Sequence, residues 1–184
     1  TGTANGFDEY DEFIKVNEIG LLNVIQQYRD QESNARIVFP STRLVYKGKE
    51  SVELKEDSEK EAKTIYAQNK ISCEKYLDMY AKNFDLPYTI FRICVPYRND
   101  FDGRYSYGTI GFMLDRALAG KDIYLFGNGM IKRTLSHASD ICRNILVSLY
   151  SENTVNEIFN IGGEIMSLKK IAGLIAAKYK VRVS

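Results

Sequence analysis

Tyr66 and Lys70 stand four positions apart, in a segment whose composition and spacing predict a long helix over residues 58–83. In a helix, two side chains at this spacing lie on the same face, one above the other. An ammonium group beside a phenol favours the phenolate and lowers the phenol's pKa from its usual value of about 10, so that the tyrosine can move protons under mild conditions. The alternative is a solvated pair without function, because a chain with 13 tyrosines offers such a spacing about once by chance.

Two hydroxyl side chains, Ser41 and Thr42, follow an apolar run at residues 36–39 that predicts a buried strand. Ligands of open α/β sheets sit outside the carboxyl ends of the strands, although these hydroxyls are equally compatible with a plain exit into a loop. A crossover helix can bring Tyr66 back over this strand end. A donating hydroxyl, a phenolate and a lysine form an alcohol-oxidation site, and it implies a nicotinamide cofactor because no protein side chain accepts a hydride.

The remaining elements alternate between strands and helices. An apolar stripe predicts a helix over residues 10–28, and residues 86–95 predict a central strand of a parallel sheet. Strands are also expected at 122–126, at 133–137 as its hairpin neighbour across Gly127 and Gly129, and at 157–161. Further helices are expected at 109–118, from Ser139 or Asp140 to about 150, and at 168–179 after a Ser167 cap. Residues 1–7, 47–61 and 96–107 are expected to be loops.

Composition excludes several classes of protein. The net charge is +1 in 184 residues, with basic and acidic side chains interspersed, so we expect no nucleic-acid partner. The three cysteines lack metal or redox spacing and there is one histidine, so we expect reduced thiols in a cytoplasm and no metal site. No stretch is apolar and long enough for a membrane span, and no signal-peptide pattern opens the chain.

Several ordered motifs resemble the extended short-chain dehydrogenase/reductases, the nucleotide-sugar epimerase/dehydratase family. The resemblance runs nearly end to end. The matching stretches are an asparagine-and-glycine helix at 16–23, a strand ending in Ser41 and Thr42 before Val45 and Tyr46, the Tyr66 and Lys70 pair, and a glycine turn at 127–129 followed by Arg133, His137 and Asp140.

The resemblance implies a role for each matching position. Thr42 would be the hydroxyl catalyst, Tyr66 the base, and Lys70 both the pKa-lowering cation and a partner of the nicotinamide ribose. The implied cofactor-binding set is Asn17, Ser41, Tyr66, Lys70 and Cys94, and the implied substrate-binding set is Thr42, Val95 and Arg133. Arg133 would meet the diphosphate of a nucleotide sugar, for which its planar fork is suited. His137 and Asp140 are assigned to structure, as a packed histidine and a helix cap.

Three departures from the family pattern qualify these expectations. The family's glycine-rich phosphate loop and first strands have no counterpart, and residues 1–7 resemble the turn after its fourth strand, so the chain resembles a fragment and we expect it to bind NAD weakly or not at all by itself. Arg43 and Leu44 replace the acidic pair of sugar 4,6-dehydratases, which disfavours dehydration. Val95 replaces an asparagine that binds substrate in many epimerases.

The predicted fold class is α/β, a partial doubly wound (Rossmann-like) parallel sheet with a smaller C-terminal α/β substrate lobe. Residues 1–95 would be the carboxyl-side part of the dinucleotide-binding domain. Residues 96–184 would be mainly the substrate-binding lobe, interleaved with the last elements of the first domain.

The predicted function is an NAD- or NADP-dependent nucleotide-sugar epimerase. A keto-sugar nucleotide reductase, or a non-catalytic binding or regulatory protein of the same fold, are the alternatives. The resemblance also suggests a homodimer through helices near 10–28 and 62–83.

Overall fold

A computed structural model describes residues 6–48, 52–97 and 108–184 of the chain. The predicted glycine-containing start lies mostly outside the described residues, as do parts of the predicted loops at 47–61 and 96–107. The described strands are β1 (Ile37–Thr42), β2 (Tyr88–Ile93), β3 (Val95–Tyr97), β4 (Lys132–His137), β5 (Glu157–Ile161) and β6 (Glu164–Ser167). The described α-helices are α1 (Tyr10–Phe13), α2 (Gly20–Asp30), α3 (Ile65–Phe84), α4 (Gly108–Leu118), α5 (Ala138–Ser148) and α6 (Leu168–Tyr179).

The chain forms two compact units, each made of two segments. The first unit contains residues 1–93 and 143–161, and the second contains residues 94–142 and 162–184. The chain therefore passes between the units after β2, within α5 and after β5. The roles of these units in dinucleotide and substrate binding stay predictions.

The first unit is built on a three-stranded parallel sheet in the order β1, β2, β5. The middle strand, β2, is buried along nearly its whole length, as expected for a strand with neighbours on both edges. β1, α3 and β2 form the predicted strand–helix–strand unit. β1 extends further than expected, because Pro40, Ser41 and Thr42 keep strand pairing with β2 and so end the strand instead of following it.

Helix α3 begins later than the sequence predicted. The predicted start at residue 58 is wrong because Lys60 forms an isolated bridge with Tyr46 and the Glu61 N–H donates to the Val45 carbonyl, which holds this stretch extended. Thr64 then caps α3 by accepting a hydrogen bond from the Ala67 N–H at 3.1 Å.

The predicted helix over residues 10–28 is present, but its middle is a π-helical segment, Ile14–Ile19, between α1 and α2. Its apolar face enters the core of the first unit together with α3 and the sheet. The buried residues of this core are Leu21, Ile25, Phe39, Cys73, Leu77, Leu86, Tyr88 and Ile90.

The second unit has a separate core and a mixed sheet in the order β3, β4, β6. β4 runs parallel to β3 and antiparallel to β6. The buried residues of this core are Met113, Ala117, Ile123, Leu135, Ile171, Ala172 and Ala176.

The predicted hairpin of strands 122–126 and 133–137 is wrong. Residues 122–126 form no strand, and Ile123 makes only an isolated parallel bridge to Val183. β4 instead finds its partners in β3 and β6, which are far from it in sequence. Gly127 and Gly129 do form the expected turn, since both have φ near +70° (φ 72° and 67°).

Two of the C-terminal predictions match the observed bounds. β5 spans the predicted residues 157–161, and α6 begins at Leu168 after Ser167, whose hydroxyl accepts from the Lys170 N–H at 3.1 Å. α5 begins at Ala138, one position before the earlier of the two predicted caps. The α/β fold class is confirmed. None of the helices in the described ranges combines the length and apolar character needed to cross a bilayer.

Candidate functional site

Thr42 is the last residue of β1 and is buried. Its backbone is extended, and its hydroxyl oxygen accepts a hydrogen bond from the Leu44 N–H at 3.3 Å, which caps the short 3-10 turn Arg43–Val45. A hydroxyl that accepts one hydrogen bond can still donate its own proton. Thr42 is therefore held at the carboxyl end of a sheet strand with a chemically usable O–H group.

Tyr66 lies in the first turn of α3 and is half-buried. Lys70, one turn later, has its ammonium nitrogen 5.7 Å from the centre of the Tyr66 ring. The same nitrogen donates to the carbonyl oxygen of Pro40 in β1 at 2.9 Å and lies 4.5 Å from the centre of the Phe39 ring. Lys70 thus connects Tyr66 to the strand that ends in Thr42. The two side chains lie on the same helix face, as their four-residue spacing predicts.

The environment of Lys70 changes its proton affinity. Burial of the ammonium group lowers the pKa of Lys70 below its ordinary value, while the nearby Cys73 and Glu74 oppose this shift. A lysine with a reduced hydration shell acts more strongly on its neighbours than a solvated one, because water screens it less.

The hydrogen-bond partner of the Ser41 hydroxyl differs from that of Thr42. Its buried hydroxyl donates to Oε1 of Glu74 in α3 at 2.5 Å. Glu74 is also buried and forms a bidentate ion pair with Arg92 of β2, with Nε to Oε1 at 3.0 Å and Nη2 to Oε2 at 2.6 Å. Cofactor binding by Ser41 stays a prediction.

Arg92 extends this network to the rest of the first unit. Its Nη1 donates to the Tyr46 hydroxyl at 2.6 Å and to the Glu56 carbonyl at 2.7 Å. Tyr46 in turn donates to Oδ1 of Asn160 in β5 at 2.6 Å. Desolvation would lower the pKa of Arg92, but its hydrogen bonds to Glu74 and Tyr46 outweigh it, so the pKa is raised and the side chain stays cationic.

Sequence reasoning missed this network, although one signal was present. Arg92 is the only charged residue of the mostly apolar central strand β2, and a charged residue in a buried strand requires a partner of opposite charge. Glu74 was a candidate partner, because it continues the row of Tyr66 and Lys70 at the same four-residue spacing.

Asn17 lies in the π-helical segment Ile14–Ile19. Its side-chain amide donates to the Phe13 carbonyl at 2.9 Å. The backbone carbonyl oxygen of Asn17 accepts from the thiol of Cys73 in α3 at 3.4 Å. π-helical turns occur frequently at functional sites. The contacts join this helix to α3, and a cofactor role for Asn17 stays a prediction.

The other predicted site residues belong to the second unit. Cys94 precedes β3, and Val95 pairs with Leu135 of β4. Arg133 lies in β4 and is half-buried, and its Nη1 donates to the Lys132 carbonyl at 3.1 Å. Their predicted contacts with cofactor and substrate stay predictions.

His137 and Asp140 flank the start of α5. The His137 ring packs edge-on against Tyr97, with ring centres 5.2 Å apart, and its Nδ1 lies 2.6 Å from the Ser139 hydroxyl and accepts from the Ser139 N–H at 3.3 Å. His137 is therefore a packed histidine that also caps the helix. Asp140 lies inside the first turn of α5 and not at its cap position.

Metal-ligating side chains do not cluster in residues 6–48, 52–97 and 108–184: no group of three or more His, Cys, Asp or Glu side chains there is arranged to hold a metal ion.

The chain is similar to several proteins described as UDP-glucose 4-epimerases. A putative UDP-glucose 4-epimerase of Methanocaldococcus jannaschii is 24% identical over 161 residues, which are 87% of this chain and 52% of that protein. The crystal structure of UDP-glucose 4-epimerase from Thermotoga maritima with UDP-glucose is 25% identical, with a TM-score of 0.84 over 98% of this chain and 60% of that one. The complex of Thermus thermophilus UDP-glucose 4-epimerase with NAD has 21% identity and a TM-score of 0.86 over 100% of this chain and 61% of that one.

The family model for the NAD dependent epimerase/dehydratase family matches residues 1–162 of the 184. This match covers strands β1 to β5 and the row of Tyr66, Lys70 and Glu74 on α3. The chain spans about half the length of the curated relative named above. With the fold, the strand-end hydroxyl and the tyrosine–lysine contact in agreement, the chain belongs to the NAD dependent epimerase/dehydratase family.

Proposed function

We propose that the protein is an NAD- or NADP-dependent nucleotide-sugar epimerase that oxidises a ring hydroxyl and reduces the resulting ketone on the other face. The observation that carries this proposal is the position of Lys70, whose ammonium contacts both the Tyr66 ring, at 5.7 Å from its centre, and the Pro40 carbonyl of β1, at 2.9 Å. The family match and the UDP-glucose in the related Thermotoga maritima structure support a nucleotide sugar as substrate.

The chain's own residues divide the work of moving one proton. Thr42 donates a hydrogen bond to the oxygen of the reacting sugar hydroxyl, and Tyr66 as phenolate takes the proton of that hydroxyl. Lys70 stabilises the phenolate with its charge. On reduction the same phenol returns the proton to the sugar oxygen, so the residues end the cycle unchanged.

The ammonium group of Lys70 offers hydrogen-bond donors that suit a nicotinamide cofactor. An ammonium group has three hydrogen-bond donors, of which the Pro40 carbonyl takes one from Lys70. We propose that the others meet the ribose hydroxyls, with Asn17, Ser41 and Cys94 as further cofactor contacts. Bound there, a nicotinamide would supply the hydride-accepting and hydride-donating chemistry that the sugar carbon needs.

On the substrate side we propose that Arg133 binds the diphosphate of the nucleotide sugar and that Val95 borders the sugar. A guanidinium fork is suited to two phosphate oxygens at once. Arg133→Ala in the full-length protein should raise the KM for the nucleotide sugar more than it lowers kcat. An unchanged KM would remove Arg133 from the substrate site.

The epimerase proposal is tested in the full-length holoenzyme with UDP-glucose and other nucleotide sugars as probes. Products are identified by NMR with and without added reduced cofactor, because an epimerase needs no net reductant and a keto-sugar reductase does. We expect Tyr66→Phe to lower turnover by about 10²- to 10⁴-fold, since the phenol that moves the proton is gone.

Tyr80→Phe is the matched control. Tyr80 lies on the same helix and packs with a tilted ring against Phe84, with ring centres 5.4 Å apart, so its hydroxyl should not matter for turnover. Unchanged turnover in Tyr66→Phe would contradict the catalytic assignment and favour a binding or regulatory protein of the same fold.

We also propose a homodimer and a cytoplasmic location. The three cysteines lack the spacing of a disulfide framework, a metal site or a redox site, which is typical of proteins in a reducing compartment and supports the second of these. Fractionation of the source cells tests it, and recovery of the protein outside the cytoplasm would contradict it.

A further inference from the structure

The Glu74–Arg92 ion pair joins helix α3 to the sheet at a high desolvation free energy. Both side chains are almost fully buried, with exposed side-chain fractions of 6% and 1%. A buried ion pair loses the hydration of two charges, and well-packed apolar residues of similar volume often stabilise a fold equally well. α3 already packs on the same sheet through Cys73 and Leu77. The pair therefore needs a reason other than stability.

The ion pair fixes the orientation of α3 relative to the sheet, which apolar packing alone does not. Apolar packing is non-directional and tolerates a small slide or rotation of a helix. The two parallel hydrogen bonds between a guanidinium and a carboxylate hold only in one mutual orientation. Arg92 is itself held by the Tyr46 hydroxyl and the Glu56 carbonyl, so the fork does not swing with the helix.

Glu74 lies in the same row of α3 as the proposed catalytic residues. Tyr66, Lys70 and Glu74 follow at four-residue intervals, and each step moves the side chain only about 40° around the helix. Lys70 donates to the carbonyl of Pro40, and Glu74 accepts from the hydroxyl of the next residue, Ser41. α3 is thus bonded to two adjacent residues of β1.

We propose that Glu74 and Arg92 are positioning residues, which fix the rotation and height of α3 on the sheet so that Tyr66 and Lys70 face the strand end at Thr42. Thr42 directly follows the bonded Ser41, so a shift of α3 relative to β1 changes the distance between the base and the hydroxyl. The inference rests on the proposed function, because it assigns these residues to the reaction of Tyr66 and Thr42.

The decisive variant replaces the ion pair with apolar side chains, Glu74→Met together with Arg92→Leu, in the full-length holoenzyme. We expect a folded protein with a melting temperature a few degrees below that of the wild type, because the buried charges are removed together while the buried Ser41 hydroxyl loses its acceptor. We expect kcat to fall about tenfold or more while the KM for the nucleotide sugar changes less than about twofold, because misplacement of reacting groups costs rate. The acidic limb of the pH profile of kcat should move to higher pH, since Lys70 no longer stabilises the phenolate as closely.

Arg92→Lys is the second variant. It keeps a positive charge for Glu74 but replaces the planar fork with a point donor, and we expect the same changes in kcat and pH profile at smaller size. Asp78→Asn is the matched control, because Asp78 forms an exposed pair with Lys82 on the same helix, with Nζ and Oδ2 2.7 Å apart. It should leave kcat and the pH profile unchanged.

Each outcome separates the two proposals. Wild-type kcat and pH profile in the folded double variant would overturn the positioning role, and the proposed function would still stand if Tyr66→Phe is inactive. An unfolded double variant would also overturn it, since the pair would then be required for folding. If Tyr66→Phe keeps full activity, the proposed function itself fails.

Discussion

Lys70 and Cys73 occupy neighbouring turns of α3, and burial acts on them in opposite directions. It lowers the pKa of the Lys70 ammonium and raises the pKa of the Cys73 thiol from 9.0 to about 11, because in each case the charged form loses its water. For Lys70 this leaves a cation that is poorly hydrated beside Tyr66. For Cys73 it leaves a neutral thiol that donates to the Asn17 carbonyl.

The Cys73 thiol should make stability depend on pH. Between pH 9 and about 11 the unfolded chain loses the thiol proton and the native state keeps it, so the native state binds more protons and stability falls as pH rises. The contribution is fully present below pH 9. We expect Cys73→Val to show a flatter decline of the free energy of unfolding over this interval, measured by urea denaturation in a reducing buffer at several pH values.

Cys142→Val is the control, because this thiol is exposed and its removal should leave the slope unchanged. Equal slopes for wild type and Cys73→Val would show that the buried thiol does not carry the effect.

At the scale of elements, the second unit depends on a close approach of backbone to backbone. Gly163 follows β5 and precedes β6, and a Cβ atom there would overlap the carbonyl oxygen of Leu135 in β4. The adjacent Ser136 hydroxyl donates to the Gly162 carbonyl at 2.5 Å, which holds the two segments together. Only glycine fits at position 163 without moving β4 or β6.

Gly163→Ala should therefore destabilise the protein by about 1–3 kcal/mol, since the added methyl group must push the β4 backbone aside. The neighbouring Gly162→Ala offers a matched control, because a Cβ atom at that position meets nothing within 4 Å. Thermal and urea unfolding of the two variants give the comparison. Equal, small losses of stability in the two variants would show that the β4 backbone moves aside without cost.

At the scale of the whole molecule, the helices near residues 10–28 and 62–83 carry apolar side chains that the first unit leaves exposed. Ile19 and Val24 are 47% and 55% exposed, and Met79 of α3 is 50% exposed. Such residues on two helices support the proposed homodimer, since burial of apolar surface drives association.

Val24→Glu should weaken this dimer and raise its dissociation constant by about tenfold or more, because a charge would enter an apolar contact. Asn23→Asp, an exposed polar position that lies on a different face of the same helix from Val24, is the control and should change self-association little. Sedimentation equilibrium at several concentrations measures both. A wild-type protein that is monomeric throughout, or a Val24→Glu variant that associates equally well, would contradict the dimer.

The sequence by itself determined what depends on local pattern. The four-residue spacing of Tyr66 and Lys70 fixes a common helix face, and the Ser167 hydroxyl caps the start of α6. The short stretch 157–161 before two glycines suffices for β5. Each of these follows from the geometry of a single helix or strand, which neighbouring residues specify.

Only the tertiary structure decided which distant residues meet. The start of α3 was misplaced because residues 60 and 61 bond to Val45 and Tyr46, and the strand predicted at 122–126 failed because β4 pairs with β3 and β6 instead. The Glu74–Arg92 pair and the contact of Lys70 with Pro40 join three elements. The residues next to a strand or a buried charge in sequence do not specify such partners. A strand edge or a buried charge accepts any complementary group that the fold brings to it.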